Sequence, residues 1–588
     1  MKTTAIFNQQ RKNTEQTEMK INKNQYPTIL TGLFVILSTL FIYNPMYAYQ
    51  EGLQIFMLTT DYLKDTMLRP GGFSDYVGSF VLQFFMYPVP TVLILTAMIC
   101  SLQMMLNKVF VKNGADNNQA KILSVIAAGV FYMPLTEVNI IFNGIFAIYL
   151  SVVLLRLSYI TENKIILSLL TIAVYWLTGG WGTVIYIVST TIRFFDTKVW
   201  KLLIVNSLIL VISSLLTKYI MQDDSLRNVF EGVDFNRFQD KPAVIWYVMI
   251  MTFVIIFVIC KLKFLFSNFK VSYGILIVGL GLILGSMIMR YDSENMLFYK
   301  IDRMVRLKQW GLIISECDSR EIRHPLTMCY LNLALNEKGL LLNKMFNYSQ
   351  SGSEGLASSK IDSQKKIIVN SEIYFRLGMA NTAERLAIDA MECCNTFQKS
   401  GRQYKRLAEV AIIQGNKPLA IRYLKKLEST TFYRKWAMRA EEYIKNPTKV
   451  EPLNEWKIKP LEFQYDFFFS SENTTDLFYY MLANNQDNAK LNCYYIANLL
   501  LNKDVERLNK FLGDNFDEYQ QLTHIYEYKY IQIMEDKSNQ AKQELNKNDN
   551  TTLKFKAFLN GMTSKESDKD KKLKAMFGDT YWYYYYCR

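Results

Sequence analysis

The sequence predicts an all-α chain: a polytopic transmembrane helical domain of about nine spans, then a soluble domain of TPR-like helical repeats. Three observations carry this. Strongly apolar segments follow one another from about Thr28 to Met289. From about Met296 to Arg588 short helical patterns alternate with brief breaks, and strand-like alternation is scarce. Two of these later segments, 373–391 and 411–427, resemble one another as repeats do. The boundary falls near Arg290. It divides the chain into a basic cytoplasmic arm (1–26), a transmembrane domain (27–290) with an acidic outer loop (48–85), and an extracytoplasmic helical domain (291–588).

The arm is polar and carries Lys2, Arg11, Lys12, Lys20 and Lys23. The apolar run after it is long for a signal-peptide core and lacks a clear small-x-small cleavage site, so it reads as a retained first span. Nine apolar segments follow the same logic: 27–46, 86–106, 121–135, 137–158, 164–178, 181–197, 199–220, 243–262 and 271–290. Several approach the roughly twenty residues a helix needs to cross the hydrocarbon. The third, fifth and sixth are short, as tilted spans or the halves of re-entrant hairpins would be.

Basic residues give the segments a direction. Lys108, Lys112 and Lys121, then Arg156 and Lys164, then Arg193, Lys198 and Lys201, then Lys261, Lys263 and Lys270 occupy alternate connections. Together with the basic arm they fall on one side, which the positive-inside rule assigns to the cytoplasm. The opposite connections at 136 and 179–180 contain no Lys or Arg, and the one at 221–242 is mixed. An odd number of spans then puts the C-terminal half outside. The same rule accounts for the formal charge of +14. No nucleic-acid-binding motif accompanies that charge, and no nucleic-acid partner is expected.

The first outer loop is the richest in chemistry, running YQEGLQIFMLTTDYLKDTMLRPGGFSDYVGSFVLQFF from Tyr49 to Phe85. On a helix, Glu51, Gln54, Leu58, Asp61 and Asp65 share one face, with Leu53, Phe56, Met57, Leu63 and Met67 on the other. Such a helix lies in the membrane interface with its carboxylates toward water or a cavity. Pro70-Gly71-Gly72 ends it, flanked by Arg69 and Asp75. Carboxylates held near a low-dielectric boundary can acquire separated pKa values and serve as a base or metal ligand; the same pattern also suits a solvated connector. Glu137 and Asn139 stand at another outer connection, with Asn143 one helical turn further on. Trp176-Leu-Thr-Gly-Gly-Trp181 reads as a tight hairpin with interfacial tryptophans. Gly274, Gly279, Gly281 and Gly285 read as helix packing in the ninth span.

The eight cysteines lack CxxC spacing and only two histidines occur, His324 and His524, so no structural zinc is expected. In the soluble half, Gly378 and Gly415 each end a helix, and Ala383 and Ala420 follow five residues later. Their offset of thirty-seven lies close to the tetratricopeptide period of about 34. Such arrays commonly bind peptides or proteins. Residues 347–366 read as a loop. The closing aromatic run from Tyr581 to Tyr586 reads as a segment that docks the chain end or touches lipid.

The stretches QEGLQIF…TTDYL…RPGGFSDYVGSFVLQFF, YWLTGG, SEIYFRLGMANTAERLAIDAME, GRQYKRLAEV and TTFYRKWA resemble an uncharacterised family of multi-spanning membrane proteins of the Bacteroidota. That resemblance implies a multi-pass protein of the bacterial cytoplasmic (inner) membrane and brings no activity with it. The layout is also distantly similar to the GT-C glycosyltransferases, integral membrane enzymes with an acidic first outer loop. They use polyprenyl-phosphate-linked sugar donors. By that likeness Glu51 and Asp61 are the catalytic candidates, with Asp65, Arg69, Asp75, Glu137 and Asn139 as substrate-binding candidates. The acidic pair that usually follows the first span in that class is missing, which leaves cofactor and metal use undefined. Two functions stand side by side: a GT-C-like transferase of the envelope, and a non-catalytic membrane-anchored scaffold whose repeats hold envelope proteins.

Overall fold

The computed structural model describes residues 26–194, 199–222, 225–237, 243–260, 269–393, 399–463, 473–483, 485–513, 519, 521–535, 550–563 and 568–588. The basic arm before Tyr26, Lys198, Lys241, Lys261, Lys263 and Cys394 lie outside them. Among the described residues there is no β-strand; one isolated antiparallel bridge pairs Ile140 with Asn236. The chain folds as two compact units. The first comprises Met1–Glu51 and Leu58–Tyr291, the second Gly52–Met57 and Asp292–Arg588.

In the first unit the opening helix runs from Tyr26 to Glu51 through a π-helical turn at Thr39–Tyr43. Ser38 and Thr39 there hydrogen-bond the Tyr132 hydroxyl at 3.0 and 2.9 Å. Helices follow at Pro88–Lys112, Asn117–Leu135, Phe142–Ser158, Lys164–Arg193, Val199–Met221, Ile245–Ile259 and Phe269–Arg290. Among the described residues, five helical stretches suffice by length and apolar composition to cross a membrane: Tyr26–Glu51, Pro88–Lys112, Lys164–Arg193, Trp200–Met221 and Val271–Arg290. Phe142–Ser158 and Ile245–Ile259 are apolar but shorter.

The Lys164–Arg193 stretch is not one rod. Gly179 adopts φ 72° and ψ −176° within it, which an L-residue with a Cβ tolerates poorly. The Tyr186 hydroxyl donates to the Leu167 carbonyl, nineteen residues back, at 3.2 Å. A straight helix would separate those residues by about 28 Å. The chain therefore reverses at Gly179 into two antiparallel arms, each too short for a full crossing at about 1.5 Å per residue.

The ninth-segment glycines behave differently from the packing expectation. A Cβ on Gly274, Gly281 or Gly285 would meet nothing within 4 Å, whereas Gly279 closes on Ile126 and Gly129 on Ile283. Only Gly279 of that series admits a neighbour.

The second unit stacks helices in sequence-adjacent pairs, including Gln364–Arg376 with Ala380–Glu392 and Gly401–Ile413 with Lys417–Glu428, then Arg434–Lys445. Gly378 and Gly415 take positive φ at 91° and 72°. Ala383 and Ala420 are fully buried, so the helices of each pair approach closely. A buried charge network ties the stack. Glu372 pairs with Arg376 at 2.8 Å and with Arg406, while Arg402 reaches Asp302 at 2.9 Å and Tyr330 donates to Asp302 at 2.8 Å. Burial alone would raise the Glu372 carboxyl, but Arg406 and Arg376 outweigh it and hold the group at about 2. Of the expected loop 347–366, the part before Gln364 is loop and short 3-10 turns, and Gln364 begins the next helix. The aromatic run forms the Tyr581–Cys587 helix. There Trp582 is buried and its indole N–H donates to the Glu527 carbonyl at 2.7 Å.

Candidate functional site

The first long connection is not the single amphipathic helix that its spacing predicts. Glu51 is the last residue of the first helix, and Gly52 follows with no further helix until Thr60. Gly52 breaks the helix, and burying Leu53, Ile55 and Phe56 outweighs the remaining helical preference. The next helix is short, Thr60–Met67, started by the Thr59 hydroxyl accepting from the Tyr62 amide at 3.2 Å. Asp61 sits in its first turn, where the helix dipole favours a carboxylate. Asp61 and Asp65 are exposed, whereas Glu51 is buried. Glu51 therefore shares no helix face with Asp61 and Asp65, which remain one turn apart on the Thr60–Met67 helix.

The loop does build a second polar arrangement. After Leu68, Gly71 takes φ 72° and starts the Gly72–Leu82 helix. Its amide donates to the Trp176 carbonyl at 2.8 Å, and a Cβ there would stand 2.3 Å from Val233 Cγ2. The turn brings Arg69 onto Asp75 as an ion pair. Asp75 also accepts from Asn143, which donates in turn to Ser79 at 2.9 Å. Gly78 makes this possible, because a Cβ would lie 2.7 Å from the Asn143 side-chain oxygen. Asp234 is a second carboxylate within the field of Arg69. Burial raises its carboxyl while Arg69 pulls the other way; burial lowers the Arg69 guanidinium while Asp234 opposes.

Three glycine turns interlock around this cluster. A Cβ on Gly179 would lie 2.1 Å from the Glu231 carbonyl oxygen, and one on Gly232 would lie 2.7 Å from that of Pro70. Ser74 donates to the Leu177 carbonyl at 2.7 Å. Elsewhere at the same end, the Gln50 amide donates to the carbonyls of Glu137, Val138 and Ile140 at 3.1–3.3 Å. Glu137 lies 3.9 Å from Arg290, and the Asn139 carbonyl accepts from the Arg237 amide at 2.8 Å.

Of the candidates read from sequence, Arg69 and Asp75 come together, joined by Asn143. Glu51, Asp61 and Asp65 do not join them, and Glu137 has Arg290 as its charged neighbour. Ser79 and Asp234 enter unanticipated. The four-residue spacing of Asp75 and Ser79 on one helix face is the signal that would have found Ser79; nothing local announces Asp234. Chemically, a carboxylate held by a guanidinium and an amide is a weak base and a good clamp. Among the described residues, no three His, Cys, Asp or Glu side chains gather as metal ligands.

The rest of the loop, Gly52–Met57, belongs to the second unit. The Ser400 hydroxyl donates to the Gly52 carbonyl at 2.7 Å, and the Gly401 amide donates to the Gln54 carbonyl at 3.2 Å. The Gly401 amide is a first-turn donor without an intrahelical partner, and Ser400 is the cap whose hydroxyl also accepts from the Gln403 amide at 3.2 Å. Ile55 enters a core with Leu407, Leu427 and Trp456, and Met57 packs against it. The helix that receives this strap is the one pinned by Arg402 and Arg406.

No curated protein and no solved structure matches the chain. The match that exists spans nearly all of it: residues 21–588 fit a family of unknown function, DUF6057, and the chain belongs to that family.

Proposed function

We propose that this protein is a membrane-anchored adaptor of the bacterial envelope. Unit 1 embeds in the cytoplasmic membrane, and unit 2 is a TPR-like scaffold on the outer side that holds non-helical apolar segments of envelope proteins. The observation that carries the reading is the Gly52–Met57 strap. It meets unit 2 through buried apolar side chains and through carbonyls that accept from Ser400 and Gly401. Helical arrays recognise peptides through such surfaces.

Two features support the membrane arrangement. Connections that the basic residues assign to one side are bonded to one another. Gln50 meets the 137–140 connection, Gly71 meets the Gly179 hairpin, and Ile140 bridges Asn236. On the other side, Tyr159 bonds Asn113, and Gln119 bonds the Ile259 carbonyl at 3.2 Å. The Gly179 hairpin also leaves the parity unchanged. Nine crossings, or seven with the hairpin re-entrant, both carry a cytoplasmic N-terminus to an outer C-terminal unit. That is the side of the first connection, whose strap unit 2 contains.

The transferase reading retains Asp61 and Asp65 as exposed carboxylates, with a polyprenyl-phosphate-linked sugar as donor. Glu51 and Asp75 suit a base less well, one buried at a helix end and the other clamped by Arg69. One experiment separates the two. Full-length protein is purified from its own cells with its partners, as wild type, Ile55→Asp, and Asp61→Asn/Asp65→Asn. An adaptor loses a defined partner set in Ile55→Asp and keeps surface glycans in the aspartate variant. Glycan loss in the aspartate variant with partners intact would overturn the adaptor reading.

A further inference from the structure

At the end of unit 1 opposite the glycine turns, basic and aromatic side chains gather where three helices finish. Lys112 closes the Pro88–Lys112 helix, Arg193 closes the Lys164–Arg193 helix, and Tyr159 caps Phe142–Ser158. The Lys112 ammonium lies 5.3 Å from the centre of the Tyr159 ring, and the Arg193 guanidinium lies 4.4 Å from it. Arg193 and Lys164 both approach the Phe194 ring, at 5.1 and 5.2 Å. Helix C-termini and ring faces attract cations, which explains why one cation sits here. Two cations on one ring repel each other, and this calls for a counter-charge.

The protein supplies little of it. Glu162 stands 3.6 Å from Arg193 with its side chain 88% exposed, so water screens that pair. Lys112 has no carboxylate partner among the described residues. The Asn113 side chain is buried; its oxygen accepts from the Tyr159 hydroxyl at 2.5 Å, while its nitrogen has no acceptor. Exposed apolar residues flank the basic ones in sequence: Val111, Leu157, Ile160 and Ile165. A free phosphate has no use for that apolar rim, whereas acyl chains do. Basic pockets between membrane helices on the cytoplasmic side take anionic headgroups by this chemistry.

We infer that Lys112 and Arg193, arranged around Tyr159, form a binding site for the phosphate of an anionic phospholipid headgroup. The inference rests on the membrane reading above and is independent of the adaptor reading. Its test uses full-length protein in neutral detergent, stripped of lipid and examined by native mass spectrometry with added phosphatidylglycerol or phosphatidylcholine. Phosphatidylglycerol is expected to be retained over phosphatidylcholine. Lys112→Gln, an exposed change, and Arg193→Gln should each weaken retention about fivefold. Lys112→Arg should restore it, and millimolar inorganic phosphate should not displace the lipid. Equal retention of the two lipids, unchanged retention in both glutamine variants, or displacement by phosphate would overturn the site. Failure of the membrane reading is distinct: alkaline carbonate would then release the protein from membranes.

Discussion

The Ser400 hydroxyl donates to the Gly52 carbonyl at 2.7 Å, joining residues 348 positions apart in the chain. It ties the strap after the first helix to the start of a helix deep in the second unit. If the strap is held as this bond and the burial of Ile55 indicate, Ile55→Ala destabilises the Gly401–Ile413 region by about 2–5 kcal/mol. Hydrogen exchange on peptides covering 399–413 reads this directly. Protection equal to wild type there would remove the strap from the stability of unit 2.

The glycine turns supply a sharp internal control. Gly179→Ala meets both a positive φ and the Glu231 carbonyl at 2.1 Å. Backbone strain alone accounts for about 1–3 kcal/mol of destabilisation. Gly285→Ala meets open space, and should leave the thermal midpoint in detergent unchanged or slightly raised. Equal midpoints for the two variants would contradict the reversal at Gly179.

Arg69 serves two carboxylates, Asp75 directly and Asp234 through the field it exerts. Arg69→Gln leaves both without their cation and should cost about 1–3 kcal/mol. Asp75→Asn leaves Arg69 with Asp234 and should cost less. The double variant should be less destabilised than the sum of the two, which a double-mutant cycle of thermal midpoints measures. Strict additivity would mean that the pair does not clamp the turn.

Glu372 makes the second unit acid-sensitive in a defined window. Its carboxyl lies at about 2 in the folded protein, below its usual 4.5. A depressed carboxyl contributes stability that is fully present above the unfolded value and is lost as pH falls through the folded one. About 3 kcal/mol is therefore lost between about pH 4.5 and pH 2. Denaturation of the full chain in detergent, followed by exchange at 364–376, should show this slope. Glu372→Gln should flatten it while lowering stability at neutral pH, because Arg376 and Arg406 lose their partner.

The sequence makes visible what depends on local chemistry. Apolar length marks the helices of unit 1, Gly378 and Gly415 mark helix ends, and the two glycines at 179–180 mark a reversal. The first long connection departs from its pattern because helical spacing weighs residues 51–67 as one segment. The spacing cannot register that Ile55 finds a buried place in a core with Leu407, far away in sequence. Asp234 was hidden for the same reason, since its partner Arg69 lies 165 residues before it. Arg69 and Asp75 were legible because one turn brings them together.

We propose that unit 2 works at the outer face of the membrane, on the side of the first connection. Single cysteines in a cysteine-free background test it most directly, one at exposed Ser319 in unit 2 and one at exposed Glu162 beside Arg193. A membrane-impermeant maleimide applied to intact spheroplasts should label Ser319→Cys at once and Glu162→Cys only after permeabilisation. Labelling of Glu162→Cys in intact cells with Ser319→Cys protected would contradict the account.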